Sequence, residues 1–132
     1  MSVIHETSVR NGIADYVCDL IDTGTASPNL GTLVFHTGAS PEVEVATCTF
    51  ANPAFNAASS GTCTANAIAS DTSATGGTVA GFAVYDSDGT RLFSGSVTAT
   101  TASPQGDITL SSTTVGAGDT VSISSLTYSA PS

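Results

Sequence analysis

Thr78-Val-Ala-Gly-Phe-Ala-Val-Tyr85, Asp86-Ser-Asp-Gly89 and Arg91-Leu-Phe-Ser-Gly-Ser-Val97 follow one another almost without a break, and their reading decides the fold. In the first, Phe82 and Val84 alternate with Gly81, Ala83 and Tyr85, the period-two pattern of a half-buried strand. The second is a hairpin turn: Asp supports an Asx turn, and Gly89 can take the positive φ that the turn needs. The third returns, with Leu92 and Phe93 at its start. Antiparallel β structure is therefore the local rule.

The same signals extend in both directions. Upstream, Thr32–His36 and Glu42–Phe50 read as strands joined by the turn Thr37–Pro41. In Glu42–Phe50 the apolar phase changes: Val43 and Val45 share one face, whereas Ala46, Cys48 and Phe50 share the other. A bulge near Val45–Ala46 reconciles the two. Asn52-Pro53 breaks the run, and Thr62–Ala69 is a further strand of low hydrophobicity. Downstream, Asp107–Leu110 and Thr120–Tyr128 supply the last two strands, separated by the turn-rich Val115-Gly-Ala-Gly-Asp119. About seven strands with turn signals every 10 to 15 residues predict an antiparallel β-sandwich or partly open barrel.

One segment breaks this pattern. After a cap at Thr7 or Ser8, Val9, Ile13, Tyr16, Val17, Leu20 and Ile21 fall on one helical face, with Asn11, Asp15, Asp19 and Asp22 opposite. Gly24 is the expected stop. The apolar stripe is expected to pack on the sheet of its own chain, the alternative being a stripe offered to a neighbour. The chain thus reads as one domain: residues 1–24 as an arm and helix packed on the body, residues 25–132 as the β body.

Composition narrows the function. The 132 residues carry a formal charge of −9, with Arg10 and Arg91 as the sole cations. Phosphate backbones and anionic membranes require Lys or Arg, so neither nucleic acid nor membrane is an expected partner. Charged residues make up 10% of the chain, well below the usual quarter, and small weakly polar residues take their place. Such a surface suits close packing against another subunit, and its acidity suits docking on a basic patch. No segment reads as a membrane span or signal peptide, so cytosolic synthesis with reduced thiols is expected. Three cysteines argue against a closed disulfide framework, although a Cys48–Cys63 bridge stays open because the two lie in neighbouring predicted strands.

Motifs for chemistry fall short of the patterns they need. His5 and His36 are the only histidines, and neither they nor the scattered cysteines have zinc-ligand spacing. Asp86-Ser-Asp88-Gly89 resembles the start of a calcium loop but resumes a strand at once, so the hairpin is favoured. Glu42 and Glu44 read as neighbours on a solvated strand face or charged edge. Gly76-Gly77 and Gly116-Ala-Gly118 precede strands, not the helix that a phosphate-binding loop requires, and no lysine accompanies them. No Ser or Cys nucleophile has a recognisable base. The expectation is a non-catalytic protein with no cofactor.

Six stretches carry a resemblance. They are GTLVFHTG (Gly31–Gly38), FANPAFNAAS (Phe50–Ser59), TANAIASDT (Thr64–Thr72), VYDSDGT (Val84–Thr90), GDITLSST (Gly106–Thr113) and VSISSLTY (Val121–Tyr128). In this order, behind an N-terminal helix, they resemble a group of small tailed-bacteriophage virion proteins. The resemblance implies a virion component assembled in the host cytoplasm, first of all a capsid cement or decoration protein. Such a protein clamps the major capsid protein from outside, often as a homotrimer. A tail, neck or fibre-associated protein is the alternative, and a glycan-binding adhesive module a further one. The motifs are structural and bring no catalytic residue. Candidate contacts, chosen on expected exposure and composition, are Ile4 and His5 in the arm, Phe55 and Asn56 in the loop Ala51–Gly61, and Pro104 and Gln105 in the loop Thr98–Gly106.

Overall fold

The computed structural model describes residues 3–38, 42–100, 108–123 and 125–130. The chain is mainly β, with one N-terminal helix, a curled open sheet of five strands and two smaller sheets. Helix α1 spans Thr7–Asp19 and runs into a 3-10 turn at Leu20–Asp22. The strands are β1 (Thr32–His36), β2 (Glu44–Thr49), β3 (Thr62–Thr64), β4 (Gly77–Thr78), β5 (Gly81–Tyr85), β6 (Arg91–Ala99), β7 (Ile108–Leu110), β8 (Thr114–Val115) and β9 (Thr127–Ser129). The large sheet has the order β2-β1-β5-β6-β7, and β3-β9 and β4-β8 form two-stranded ribbons.

The β5–β6 hairpin is as read. Phe82 pairs with Gly95 and Val84 with Phe93. Gly89 has φ of 86°, and the Asp86 carboxylate accepts the Asp88 and Thr90 N–H groups at 3.0 and 2.9 Å. Strand β1 lies between β2 and β5, antiparallel to both. Directly opposed residues in an antiparallel ladder share a face. Leu33 therefore sits with Cys48 and Val84, and Phe35 with Ala46 and Phe82. This face is the core. Leu33, Phe35, Val45, Phe50, Val84 and Ile21 are fully or almost fully buried, each worth about 1.5–3 kcal/mol relative to exposure.

The phase change in β2 is a bulge. Phe35 pairs with Ala46 but His36 pairs with Glu44, leaving Val45 as the extra residue. Val45 and Ala46 are consecutive and both buried, which an unbroken strand cannot achieve with one buried face.

Several expectations need correction. Strands β6 and β7 pair in parallel, Val97 with Ile108 and Ala99 with Leu110, where antiparallel pairing was expected throughout. The connection between them is longer than a hairpin turn, so the chain is not forced to reverse direction. The strand expected over Thr62–Ala69 pairs with β9 only through Thr64; beyond it Ala65 bridges Phe55 and Ala69 bridges Thr49. The stretch Thr120–Tyr128 divides likewise, into a bridge from Val121 to Asp71 and then β9. Thr78–Tyr85 splits into β4, which pairs with β8, and β5. The helix begins one or two residues earlier than a cap at Thr7 or Ser8 implies, with Glu6 as N-cap and no side-chain cap bond. Gly24 lies past the turn, where an added Cβ would run into Ser87 of the hairpin; its small size is needed for that approach.

Candidate functional site

The first element to place is the helix, because it is rotated from the expected orientation. Its buried residues are Ala14, Cys18 and, one turn on, Ile21. Val9 and Tyr16, expected in the core, are 47% and 68% exposed. The polar residues expected in solvent are the ones that grip the body. Asn11 Oδ1 accepts the Gly61 N–H at 2.7 Å, Asp15 Oδ1 accepts the Ala58 N–H at 2.7 Å, and the Asp22 carboxylate accepts the Ala54 N–H at 3.1 and 3.2 Å. Arg10 adds a long contact from Nη2 to the Ala130 carbonyl at 3.5 Å.

The physical reason lies in the segment 51–61. It belongs to no extended ladder, so its backbone donors need acceptors from elsewhere. Carboxylates and an amide on one helical face supply them, while the small side chains of Ala14 and Cys18 permit close approach. The signal was present in the sequence as Ala14, Cys18 and Ile21 at helical spacing, but a hydrophobicity count favours the bulkier stripe beside it.

This rotation leaves an apolar surface outside. Val9, Gly12 and Tyr16 lie on one helical face at i, i+3 and i+7, all exposed. The arm before the helix is exposed too: Val3 is 72% exposed and Ile4 81%. His5, the next residue, is half-buried. Val3, Ile4, Val9 and Tyr16 are four of the five large apolar side chains exposed among the described residues, the fifth being Val43. All four lie near one end of the sequence, Val9 and Tyr16 on a helix bonded to the body at several points and Val3 and Ile4 just before it.

The other candidate contacts fare differently. Phe55 is buried, 7% exposed, with its ring centroid 5.8 Å from that of Phe50. It is a core residue, not a contact, because the loop folds back through the Phe55–Ala65 bridge. Asn56 is exposed and donates its backbone N–H to the Thr64 carbonyl at 2.9 Å. Pro104 and Gln105 lie outside the described residues. The structure therefore keeps Ile4 and Asn56 exposed and buries Phe55.

Elsewhere, an apolar cleft of about 360 Å³ lies between the sheet and β9, with Phe82, Phe93, Ile108, Leu126 and Tyr128 in its walls. The Phe93 and Tyr128 rings pack together in its wall, with centroids 5.5 Å apart. Among the described residues no carboxylate or cation lines it.

The charged groups are committed locally. Arg91 Nη1 donates to Glu42 Oε1 at 2.8 Å, and this bond holds the Glu42 carboxyl below the usual carboxylate range. Buried His36 has Nδ1 2.7 Å from the Thr37 carbonyl and Nε2 3.5 Å from Glu42 Oε2. Asp88 at the hairpin tip accepts the N–H groups of Thr25 and Ala26 at 2.9 and 3.1 Å, tying down the linker after the helix. That carboxylate is a structural acceptor in the Asp86–Gly89 turn. Among the described residues no group of three or more His, Cys, Asp or Glu is gathered to hold a metal ion, and no helix is long and apolar enough to cross a membrane.

All three cysteines are free and buried. The Cys48–Cys63 bridge left open by the sequence is not formed: Cys48 Sγ points to the Val121 carbonyl at 3.6 Å, and Cys63 Sγ to Asp15 Oδ1 at 3.8 Å.

The fold and this surface define a small β-rich protein with a helix-borne apolar face. No protein-family model, curated protein or solved structure matches the chain.

Proposed function

We propose that this protein is a non-catalytic virion structural protein that binds and stabilises the exterior of a phage capsid. One observation carries the reading: four exposed apolar side chains, Val3 and Ile4 in the arm and Val9 and Tyr16 on a helix hydrogen-bonded to the β body. A rigidly mounted apolar surface is suited to repeated docking on a lattice, where a specific contact buries about 1,600 Å² in total. The scarcity of charge and the acidic balance support docking on a neutral or basic surface of the major capsid protein. The order of sequence motifs that resembles small tailed-phage virion proteins supports the same reading. The protein would be made in the host cytoplasm and act as a homo-oligomer, a trimer being favoured by the resemblance.

Quantitative mass spectrometry of intact particles tests it. Hundreds of copies per particle, co-purifying with capsids that lack tails, are expected. Tens of copies or fewer, following the tail fraction, would replace capsid cement with a tail or neck part.

A further inference from the structure

Two thiols meet where the helix crosses the small ribbon. Asp15 and Cys18 are one turn apart on α1 and face the same way. Cys63, in β3, sits against both. Its Sγ lies 3.8 Å from Asp15 Oδ1, and the Cys18 thiol, one turn on from Asp15, is a close enough neighbour to perturb the Cys63 titration. Cys63 S–H points at the Asp15 carboxylate, and Cys18 lies on the next turn of the same helix. Cys18 and Cys63 are 2% and 0% exposed, both within the core. Cys48 has separate surroundings, with its Sγ directed at Val121.

We infer that Cys18 and Cys63 are a disulfide-forming pair, closed by a low-molecular-weight disulfide, that ties the N-terminal helix to the β3–β9 ribbon. The reaction is ordinary thiol–disulfide exchange. One protein thiolate attacks a sulfur of the small disulfide and expels a small thiolate. The second protein thiolate attacks the protein sulfur of that mixed disulfide, forms the Cys18–Cys63 bond and expels the second small thiolate. Two protein thiols are oxidised, one small disulfide is reduced, and the two thiol protons end on the two small thiols.

Burial controls when this happens. It pushes both thiols above their ordinary range, and the neighbouring Asp15 opposes a thiolate on Cys63 further. Attack therefore waits for α1 to lift from the body, and closure follows when it returns. The pair stays reduced in a reducing compartment and closes slowly in an oxidising one. The inference stands on the packing of α1 against β3 and does not depend on a capsid role.

The test uses the wild-type chain and oxidised glutathione, with urea just below the unfolding midpoint, followed by non-reducing peptide mapping and thermal melting. The expected result is a linked peptide pair containing Cys18 and Cys63, Cys48 left free, and a melting temperature raised by about 5–15 °C. Cys48→Ser should give the same bond and the same rise. A dominant bond to Cys48, stable glutathione adducts without closure, unreacted thiols, or a Cys18–Cys63 bond that lowers the melting temperature would each overturn it. The map of the wild-type chain decides the matter even if Cys18→Ser or Cys63→Ser fails to fold.

Discussion

Asp15 Oδ1 receives the backbone N–H of Ala58 at 2.7 Å, so a carboxylate expected in solvent is the partner of a part-buried loop amide. Asp15→Ala leaves that N–H without an acceptor and should cost about 1–3 kcal/mol. Asp15→Asn retains an acceptor oxygen and should cost less. Urea denaturation of the two variants compares them. Equal losses would show that the charge near Cys63, not the bond to Ala58, matters.

Two glycines should respond in opposite directions. Gly31 is buried where the 3-10 turn crosses the sheet; an added Cβ would meet the Ile21 side chain and stand 2.7 Å from the Tyr85 carbonyl oxygen. Both neighbours are held firmly, so Gly31→Ala should destabilise by about 1–3 kcal/mol. Gly12 is on the exposed helix face with nothing within 4 Å of an added Cβ. Gly12→Ala should stabilise by about 0.5–1 kcal/mol through helix propensity. Thermal melts of the pair test the helix orientation, since a stripe packed as the sequence suggests would place Gly12 in contact with the body.

The acid side of the stability profile follows from Glu42. Its carboxyl is held below the unfolded value by the Arg91 hydrogen bond. The contribution is therefore present above the unfolded pKa and lost as pH falls through the folded one. Arg91→Gln should move the Glu42 titration midpoint, followed by side-chain NMR, upward toward the usual carboxylate range. A midpoint unmoved by the substitution would remove Arg91 as the cause. Asp22 acts with the opposite sign: burial raises its carboxyl, so this group favours the folded state more as pH falls.

The hairpin tip makes a separate link. Asp88 accepts from Thr25 and Ala26, far earlier in the chain. Asp88→Ala should cost about 0.5–1.5 kcal/mol and speed hydrogen exchange at Thr25 and Ala26 while leaving the Asp86–Gly89 turn protected. Unchanged exchange at those two amides would show that the contact is not maintained in solution.

How far the sequence could be read depended on the range of the interaction. The β5–β6 hairpin was legible because turn chemistry and alternation are local, and the bulge at Val45 was legible because a phase change leaves two adjacent apolar residues to bury. The parallel β6–β7 pair was not, since a long connection leaves direction open. The helix was legible as a helix, but its facing was set by Ala54, Ala58 and Gly61, whose N–H groups needed Asp22, Asp15 and Asn11. That demand arises in the loop and leaves no periodic trace in the helix. Of the candidate contacts, Ile4 is exposed as composition suggested, whereas Phe55 is drawn inward by pairing that only the folded chain reveals.

The central claim is that the arm and outer helix face attach this protein to a particle. The variant Val3→Ser/Ile4→Ser alters two exposed side chains, 72% and 81% accessible, and should leave the melting temperature unchanged. Its copy number per purified particle, measured by quantitative mass spectrometry against wild type, is the most direct test. The account predicts a loss of at least about tenfold, the equivalent of ~1.4 kcal/mol of contact energy per site. Retention of the folded variant at wild-type copy number would contradict it.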